Sequence, residues 1–308
     1  MSAIRVGLDV GGTKIDALAL AADGAILART RIPTGWGDHA VVTAVHDAVD
    51  ALAGEGGFPV SDVASVGIGI PGLIDADAGR VLHAVNLGVT DLNLAEAVRI
   101  RLPVPVSVEN DVKAAALGAG SLRGDAHSMA YLNLGTGVAA GIVIDGALWR
   151  GAHGTAGEVG HLSVDPRGRV CGCGQRGCIE TFCGGGAVTK AWARGGDLPL
   201  RDIFDLAEDG DAFALELREG IAFGAASAVR SLVLSADVET VVIGGGVTAL
   251  GDRLLDDLVR RLRQEGAESP FIGSLRLDRR VELLPLGSPA AALGAALVGA
   301  ARLPAELV

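Results

Sequence analysis

Along the chain, short runs rich in β-branched residues alternate with longer Ala- and Leu-rich stretches at helical spacing. That alternation is the pattern of an α/β protein. The runs predicting strands cover residues 5–9, 15–20, 26–31, 66–70, 104–108, 130–133, 139–144 and 240–243. The stretches predicting helices cover 40–53, 111–117, 220–235, 252–265 and 290–301, the last read as a terminal amphipathic helix. No low-complexity linker separates them.

The pattern contains an internal echo. In the first half a strand runs into Asp9-Val10-Gly11-Gly12-Thr13, a second strand follows, and Asp23-Gly24 leads to a third. In the second half a strand runs into Asn133-Leu134-Gly135-Thr136-Gly137, a strand follows, and Asp145-Gly146 leads to Ala147-Leu148-Trp149. Asp-Gly between apolar runs is a hairpin signal. Two similar lobes facing each other across a cleft are therefore expected. The competing explanation is that glycine-rich hairpins recur by chance in a chain with 46 glycines.

Composition narrows this picture. The 308 residues suit two ordinary domains or one bilobal unit. Hydrophobic residues make up 49% and aromatic ones only 3%, so the core must be built from Ala, Val, Leu and Ile. A net charge of −11 argues against a broad nucleic-acid face, but not against a local phosphate site. No apolar run reaches membrane-spanning length, and an acidic residue and glycines break the first apolar run, unlike a signal peptide. The four cysteines all lie between positions 171 and 183, which favours a reducing, cytoplasmic compartment and a metal site over disulfide staples.

Candidate chemistry begins at Asp9-Val10-Gly11-Gly12-Thr13-Lys14. Glycines let backbone N–H groups approach a phosphate, Thr13 adds a hydroxyl and Lys14 a charge. Asp9, at a strand end, could hold Mg²⁺ directly or through water. The spacing is not that of a P-loop. Thr136 and Gly137 in the second copy complete a two-sided phosphate clamp. Gly244-Gly245-Gly246, after a strand, would let a flat ligand lie on bare backbone, or forms a plain strand-to-helix turn. Glu109-Asn110-Asp111 also follows a strand. Asn110 can pair with sugar hydroxyls and Asp111 can accept a proton from an attacking hydroxyl, although both types also suit helix capping.

The densest segment spans residues 151–186. Glu158 and His161 stand three apart, and Cys171, Cys173 and Cys178 are interleaved with glycines. Clustered thiolates suit a structural, tetrahedral Zn²⁺. Two ligand sets compete: His161 with three cysteines, or all four cysteines including Cys183. Glu158 and Glu180 flank this knuckle as acceptors for sugar hydroxyls.

These motifs resemble the bacterial ROK sugar kinases, over nearly the whole chain. The resemblance implies an actin/hexokinase-like (ribonuclease H-like) two-lobed fold with a cleft, a smaller lobe of residues 1–117 plus 291–308, and a larger lobe of 118–290. It implies ATP-dependent phosphorylation of a hexose, with glucose first, and a homodimer. It assigns Asp111 as catalytic base; Gly72, Asn110, Glu158, His161 and Glu180 to the sugar; Asp9, Gly11, Gly12, Thr13, Lys14, Thr136, Gly137, Gly244, Gly245 and Gly246 to ATP and Mg²⁺. It makes His161, Cys171, Cys173 and Cys178 the zinc ligands and leaves Cys183 outside. Two departures stand out. Val89 replaces a tryptophan common in relatives, at the outer wall of the sugar pocket, and Lys113 follows the base closely. Rival readings are a kinase for fructose, mannose or an N-acetylated hexosamine, and a non-catalytic sugar sensor. The strand at the very start leaves no room for the helix-turn-helix of the family's repressors.

Overall fold

The computed structural model describes residues 3–124, 127–301 and 303. The expected lobe ends at 1–2 and beyond 303 lie outside the described residues. Contacts divide the chain into two units: residues 1–126, 146–154 and 289–308, and residues 127–145 and 155–288.

The first unit holds β1 (Ile4–Val10), β2 (Lys14–Leu20), β3 (Ile26–Pro33), α1 (Asp38–Gly56), β4 (Val63–Ile70), β5 (Leu73–Asp75), β6 (Arg80–Ala84), β7 (Val89–Leu92), α2 (Leu94–Arg99), β8 (Val106–Asn110) and α3 (Asp111–Arg123). The second holds β9 (Ser128–Leu134), β10 (Val138–Ile144), α4 (Glu180–Cys183), α5 (Gly185–Trp192), α6 (Pro199–Glu208), α7 (Ala212–Ala236), β12 (Thr240–Gly244), α8 (Asp252–Glu268), α9 (Pro270–Ser274) and β13 (Val281–Leu283). The two remaining elements, β11 (Ala147–Leu148) and α10 (Ala290–Ala300), belong to the first unit.

The echo in the sequence is an echo of topology. In the first unit the order β3-β2-β1-β4-β8 places an antiparallel hairpin beside two parallel neighbours. In the second, β10-β9-β12-β13 repeats it: β10 and β9 form the antiparallel hairpin, and β12 runs parallel to both β9 and β13. A separate sheet, β5-β6-β7, completes the first unit.

Element ends differ from expectation in instructive places. The strand expected at 104–108 starts at Val106, because Pro103 and Pro105 lack the N–H a ladder needs. The shift makes Asn110 the last strand residue and Asp111 the first of α3. The long helix α7 starts at Ala212 rather than 220, where the Asp211 carboxylate caps it by accepting from Ala214 N.

The terminal helix is not amphipathic, contrary to its sequence reading. In α10 only Ala291 and Leu297 are partly exposed, because it is sandwiched between the sheet and α3. The approach is backbone to backbone. A Cβ on Gly67 of β4 would come within 1.7 Å of the Ala295 carbonyl oxygen, and one on Gly118 of α3 within 1.8 Å of that of Ala290. Only glycine admits such contacts. Gly67→Ala is expected to cost about 2–3 kcal/mol in urea unfolding through this overlap. Gly54→Ala, on α1 with nothing within 4 Å of the new methyl, should instead gain up to roughly 1 kcal/mol.

Candidate active site

In the first unit, the turn between β1 and β2 presents Gly12, Thr13 and Lys14 to solvent. It is held from behind. Gly11 N donates to the Lys14 carbonyl (2.9 Å), Thr34 N to that of Thr13 (3.2 Å), and Thr34 Oγ1 to that of Gly11 (2.7 Å). Asp9, next to this turn on β1, keeps an opening to solvent yet is crowded by protein. Burial first, then the charges of Asp111 and Asp16, raise its pKa to about 7, against a smaller opposing pull from Lys14. The raised value marks a carboxyl that lacks a cationic partner strong enough to offset its surroundings, as a divalent-cation ligand would be before the cation arrives.

At the end of β8, Asn110 caps α3. Its Oδ1 accepts from Val112 N (3.1 Å) and Lys113 N (3.2 Å), and its Nδ2 donates to the Gly72 carbonyl (3.3 Å). The capping alternative is therefore real for Asn110, and its amide retains one N–H for a ligand. Asp111 is the first residue of the helix, and its Oδ1 accepts from Val112 N (2.9 Å). Its charge is felt by Asp9, which places both acids at one end of the sheet.

Two contacts that sequence reasoning missed brace this corner. Arg150 Nε donates to Glu109 Oε2 (2.7 Å), whose side chain is almost fully buried. Buried Lys113 donates from Nζ to the Gly154 carbonyl (2.6 Å). Lys113 thus ties residues 151–154 to α3. A basic residue two positions after a candidate base was the only signal, and nothing in spacing gave its partner.

In the second unit, Thr136 tops the β9–β10 turn and is exposed. The start of α5 anchors this turn: Gly185 N donates to the Gly135 carbonyl (2.8 Å) and Gly186 N to that of Thr136 (2.9 Å). Glu180 Oε2 accepts from Val138 N (2.9 Å) and lies so close to Gly137 that a Cβ there would meet it at 2.6 Å. The three glycines after β12 divide by role. Gly244 is buried under the Tyr131 ring, Gly245 adopts φ +91° against the Asn133 side chain and the Leu134 carbonyl, and Gly246 is exposed. Gly245 thereby sets the second glycine loop beside the end of β9, next to the 135–137 turn.

Glu158 and His161 ride on the turn Val159–His161, which is pressed onto β10. A Cβ on Gly157 would sit 1.9 Å from the Ala140 carbonyl oxygen, and one on Gly160 equally close to that of Val138. Glu158 is exposed and His161 half-buried.

His161, Cys171, Cys173 and Cys178 converge, with all four ligand atoms within 4.8 Å of one another. His161 Nδ1 to Cys171 Sγ and Cys173 Sγ to Cys178 Sγ are both 3.7 Å. A tetrahedral zinc with Zn–S bonds of about 2.3 Å spaces its sulfurs about 3.8 Å apart, so the group fits this donor set. Hydrogen bonds from Gln175 lower the Cys173 pKa to about 6, whereas burial raises that of Cys178 to about 12. The Cys183 thiol is buried, donates to the Ile179 carbonyl (3.5 Å) and stands apart from the cluster, so the four-cysteine alternative is not the one the fold assembles. Glu180 connects the cluster to the β9–β10 turn, since its Oε1 lies 3.9 Å from Cys171 Sγ.

Two α/β units of repeated topology, each with a glycine/threonine hairpin at its sheet end, define the actin/hexokinase-like class. A model of the ROK family matches residues 5–301, and the chain belongs to that family. It is 37% identical over 272 residues to a glucokinase of Halalkalibacterium halodurans, covering 81% of this chain and 82% of that protein. A ROK hexokinase from Thermus thermophilus superposes with a TM-score of 0.80 at 32% identity, over 97% of this chain and 98% of its own. A ROK glucokinase from Streptomyces griseus, solved with glucose and AMPPNP, superposes with a TM-score of 0.77 at 30% identity, over 96% of this chain and 99% of its own.

The state of Asp9 makes a pH prediction. Its folded pKa of about 7 lies above the ordinary 3.8, so the folded state holds the extra proton between those values. Stability from this group is full below pH 4 and is lost as pH rises through 7. Asp9→Asn should therefore be more stable than the parent at pH 8 without Mg²⁺, by on the order of 2–4 kcal/mol. The advantage should vanish near pH 4 in parallel denaturant titrations.

Proposed function

We propose that this protein is an ATP-dependent hexose kinase that converts glucose to glucose 6-phosphate. The observation that carries the reading is Asp111, an acid set at the first turn of a helix by a fully engaged Asn110 cap, on a chain that presents two anchored glycine/threonine phosphate turns.

The sugar's primary hydroxyl gives its proton to Asp111 as its oxygen attacks the γ-phosphorus; the bond to the β–γ bridging oxygen breaks and ADP leaves. Such a transfer has little covalent work for the protein and depends on positioning and electrostatics. Gly12 and Thr13, with Lys14, and Thr136 with Gly137 bind phosphate oxygens through backbone N–H groups, hydroxyls and one charge. Gly245 and Gly246 supply bare backbone to the nucleoside. Asp9 binds Mg²⁺ directly or through water, and must lose its proton to do so. Asn110, Glu158, His161 and Glu180 take sugar hydroxyls, and Gly72 contributes backbone.

His161, Cys171, Cys173 and Cys178 would hold Zn²⁺, which would supply rigidity to the turn bearing Glu158 and to the start of α4, where Glu180 lies; four protein ligands would leave it no open position. With Nδ1 on the metal side, the other His161 nitrogen remains for a sugar hydroxyl. Glucose is favoured by the combination of Glu158, His161 and Glu180, which resembles that of glucokinases, together with the similarity to two proteins of that name.

Coupled ADP release with Mg-ATP across glucose, mannose, fructose, N-acetylglucosamine and N-acetylmannosamine tests the reading. Glucose should give the highest kcat/KM, and Asp111→Ala should lower kcat roughly 100- to 10,000-fold while glucose still binds. Near-parental turnover in that variant would remove Asp111 from the chemistry. Metal analysis tests the zinc assignment separately. The parent and Cys183→Ala should each carry about one zinc per chain, and Cys178→Ala far less.

A further inference from the structure

The segment joining β3 to α1 carries Thr34-Gly35-Trp36-Gly37. Both ends are pinned. Thr34 binds the first phosphate turn as described, and Gly37 N donates to the Leu87 carbonyl (2.7 Å). Between these anchors the Trp36 indole lies flat against Gly88, so close that a Cβ on Gly88 would come within 2.5 Å of indole Nε1 and Cε2. Despite this seat, Trp36 is 69% exposed, more than Phe271 or Trp149, the other exposed Trp or Phe side chains among the described residues. A large aromatic ring fixed in place and left facing water is prepared for an apolar ligand surface rather than for the core.

Its seat belongs to the candidate site. The turn Val85–Leu87, which precedes Gly88, leans on the first phosphate turn: a Cβ on Gly12 would meet the Asn86 carbonyl oxygen at 3.2 Å. Just upstream, His83 and Ala84 press on Gly72, whose carbonyl receives the Asn110 amide. Trp36 therefore stands on the stretch of backbone that links the phosphate turn to the Gly72–Asn110 contact. Val89, the residue expected to shape this wall, is wholly buried and presents nothing to a ligand.

We infer that Trp36 is a substrate-specificity residue, the apolar wall that receives the C–H face of a pyranose. This deepens the hexose-kinase reading and rests on it. A pyranose with equatorial hydroxyls turns its polar groups outward around the ring and leaves C–H patches above and below, which an aromatic face covers favourably. A furanose offers a smaller continuous patch and gains less from the same wall.

The test uses the full-length, zinc-loaded protein. Trp36→Ala should raise KM for glucose roughly five- to tenfold, leave KM for ATP within about twofold, keep most of kcat, and penalise fructose less. Trp36→Phe should restore most of the glucose KM. The chain has three tryptophans; Trp192 is buried and Trp149 is 45% exposed, so the fluorescence arm is run in a Trp149→Phe background, where glucose added without ATP should change the intrinsic emission mainly through Trp36. That change should disappear in Trp36→Phe. An unchanged glucose KM in Trp36→Ala, or a fluorescence response that survives in Trp36→Phe, overturns the inference while the kinase reading stands. A parent protein that phosphorylates no hexose overturns both.

Discussion

The packing of α10 is the constraint on which the first unit depends. This helix meets β1, β4 and α3 through backbone contacts that leave no space for a Cβ. Those three elements deliver Asp9, the approach to Gly72, and Asp111. Under the candidate base the fit is also close: a Cβ on Gly69 would lie 3.2 Å from the Ala114 methyl and 3.5 Å from the Asp111 Cα. Such a core has few voids and low compressibility, so a side chain inserted at any of these crossings is transmitted to the positions of the carboxylates. The scarcity of aromatic residues follows the same logic, since small side chains let elements approach closely.

The second unit solves its positioning problem with polar groups. Glu180 is the shared element. One of its oxygens receives the Val138 N–H at the phosphate turn, and the other lies near Cys171 in the thiol cluster. The turn carrying Glu158 and His161 is pressed onto the same strand, β10, and His161 enters the metal-ligand set. The β9–β10 turn, the carboxylates and the thiol cluster are thus mechanically one object, and a metal held by the cluster would be coupled to the geometry of groups that are not its ligands.

Charge is arranged locally in a chain of net charge −11. Asp9 and Asp16 face each other across the β1–β2 pair. Burial pushes against ionising Asp16, but hydrogen bonds from Arg29 (3.0 Å) and Arg31 (3.1 Å) outweigh it and hold its pKa below the usual value. The Asp16 charge in turn adds to the burial and the Asp111 charge that raise the Asp9 pKa. The two aspartates show how environment separates identical side chains into an ion-paired carboxylate and a carboxyl with a raised pKa.

Much of the fold and of the site's parts was legible in the chain itself. Hydrophobic period, Asp-Gly turns and glycine/threonine loops are local signals, and they marked the two repeated units, both glycine/threonine turns, and an acid at a strand-to-helix junction. The spacing of His161 and the cysteines announced a side-chain cluster able to hold a metal. What spacing could not do was rank side chains that are remote along the chain but near in space. The exclusion of Cys183, the contact of Asn110 with Gly72, the partners of Lys113 and Glu109, and the seat of Trp36 on Gly88 were decided by tertiary packing alone. The same holds for α10, read from the sequence as a terminal amphipathic helix and buried between the sheet and α3. The sequence determined which local structures and chemical groups exist, because backbone propensity and turn chemistry act over a few residues. Only the tertiary structure decided which of those groups meet, because a hydrogen bond or metal cluster depends on distances set by the packing of whole elements.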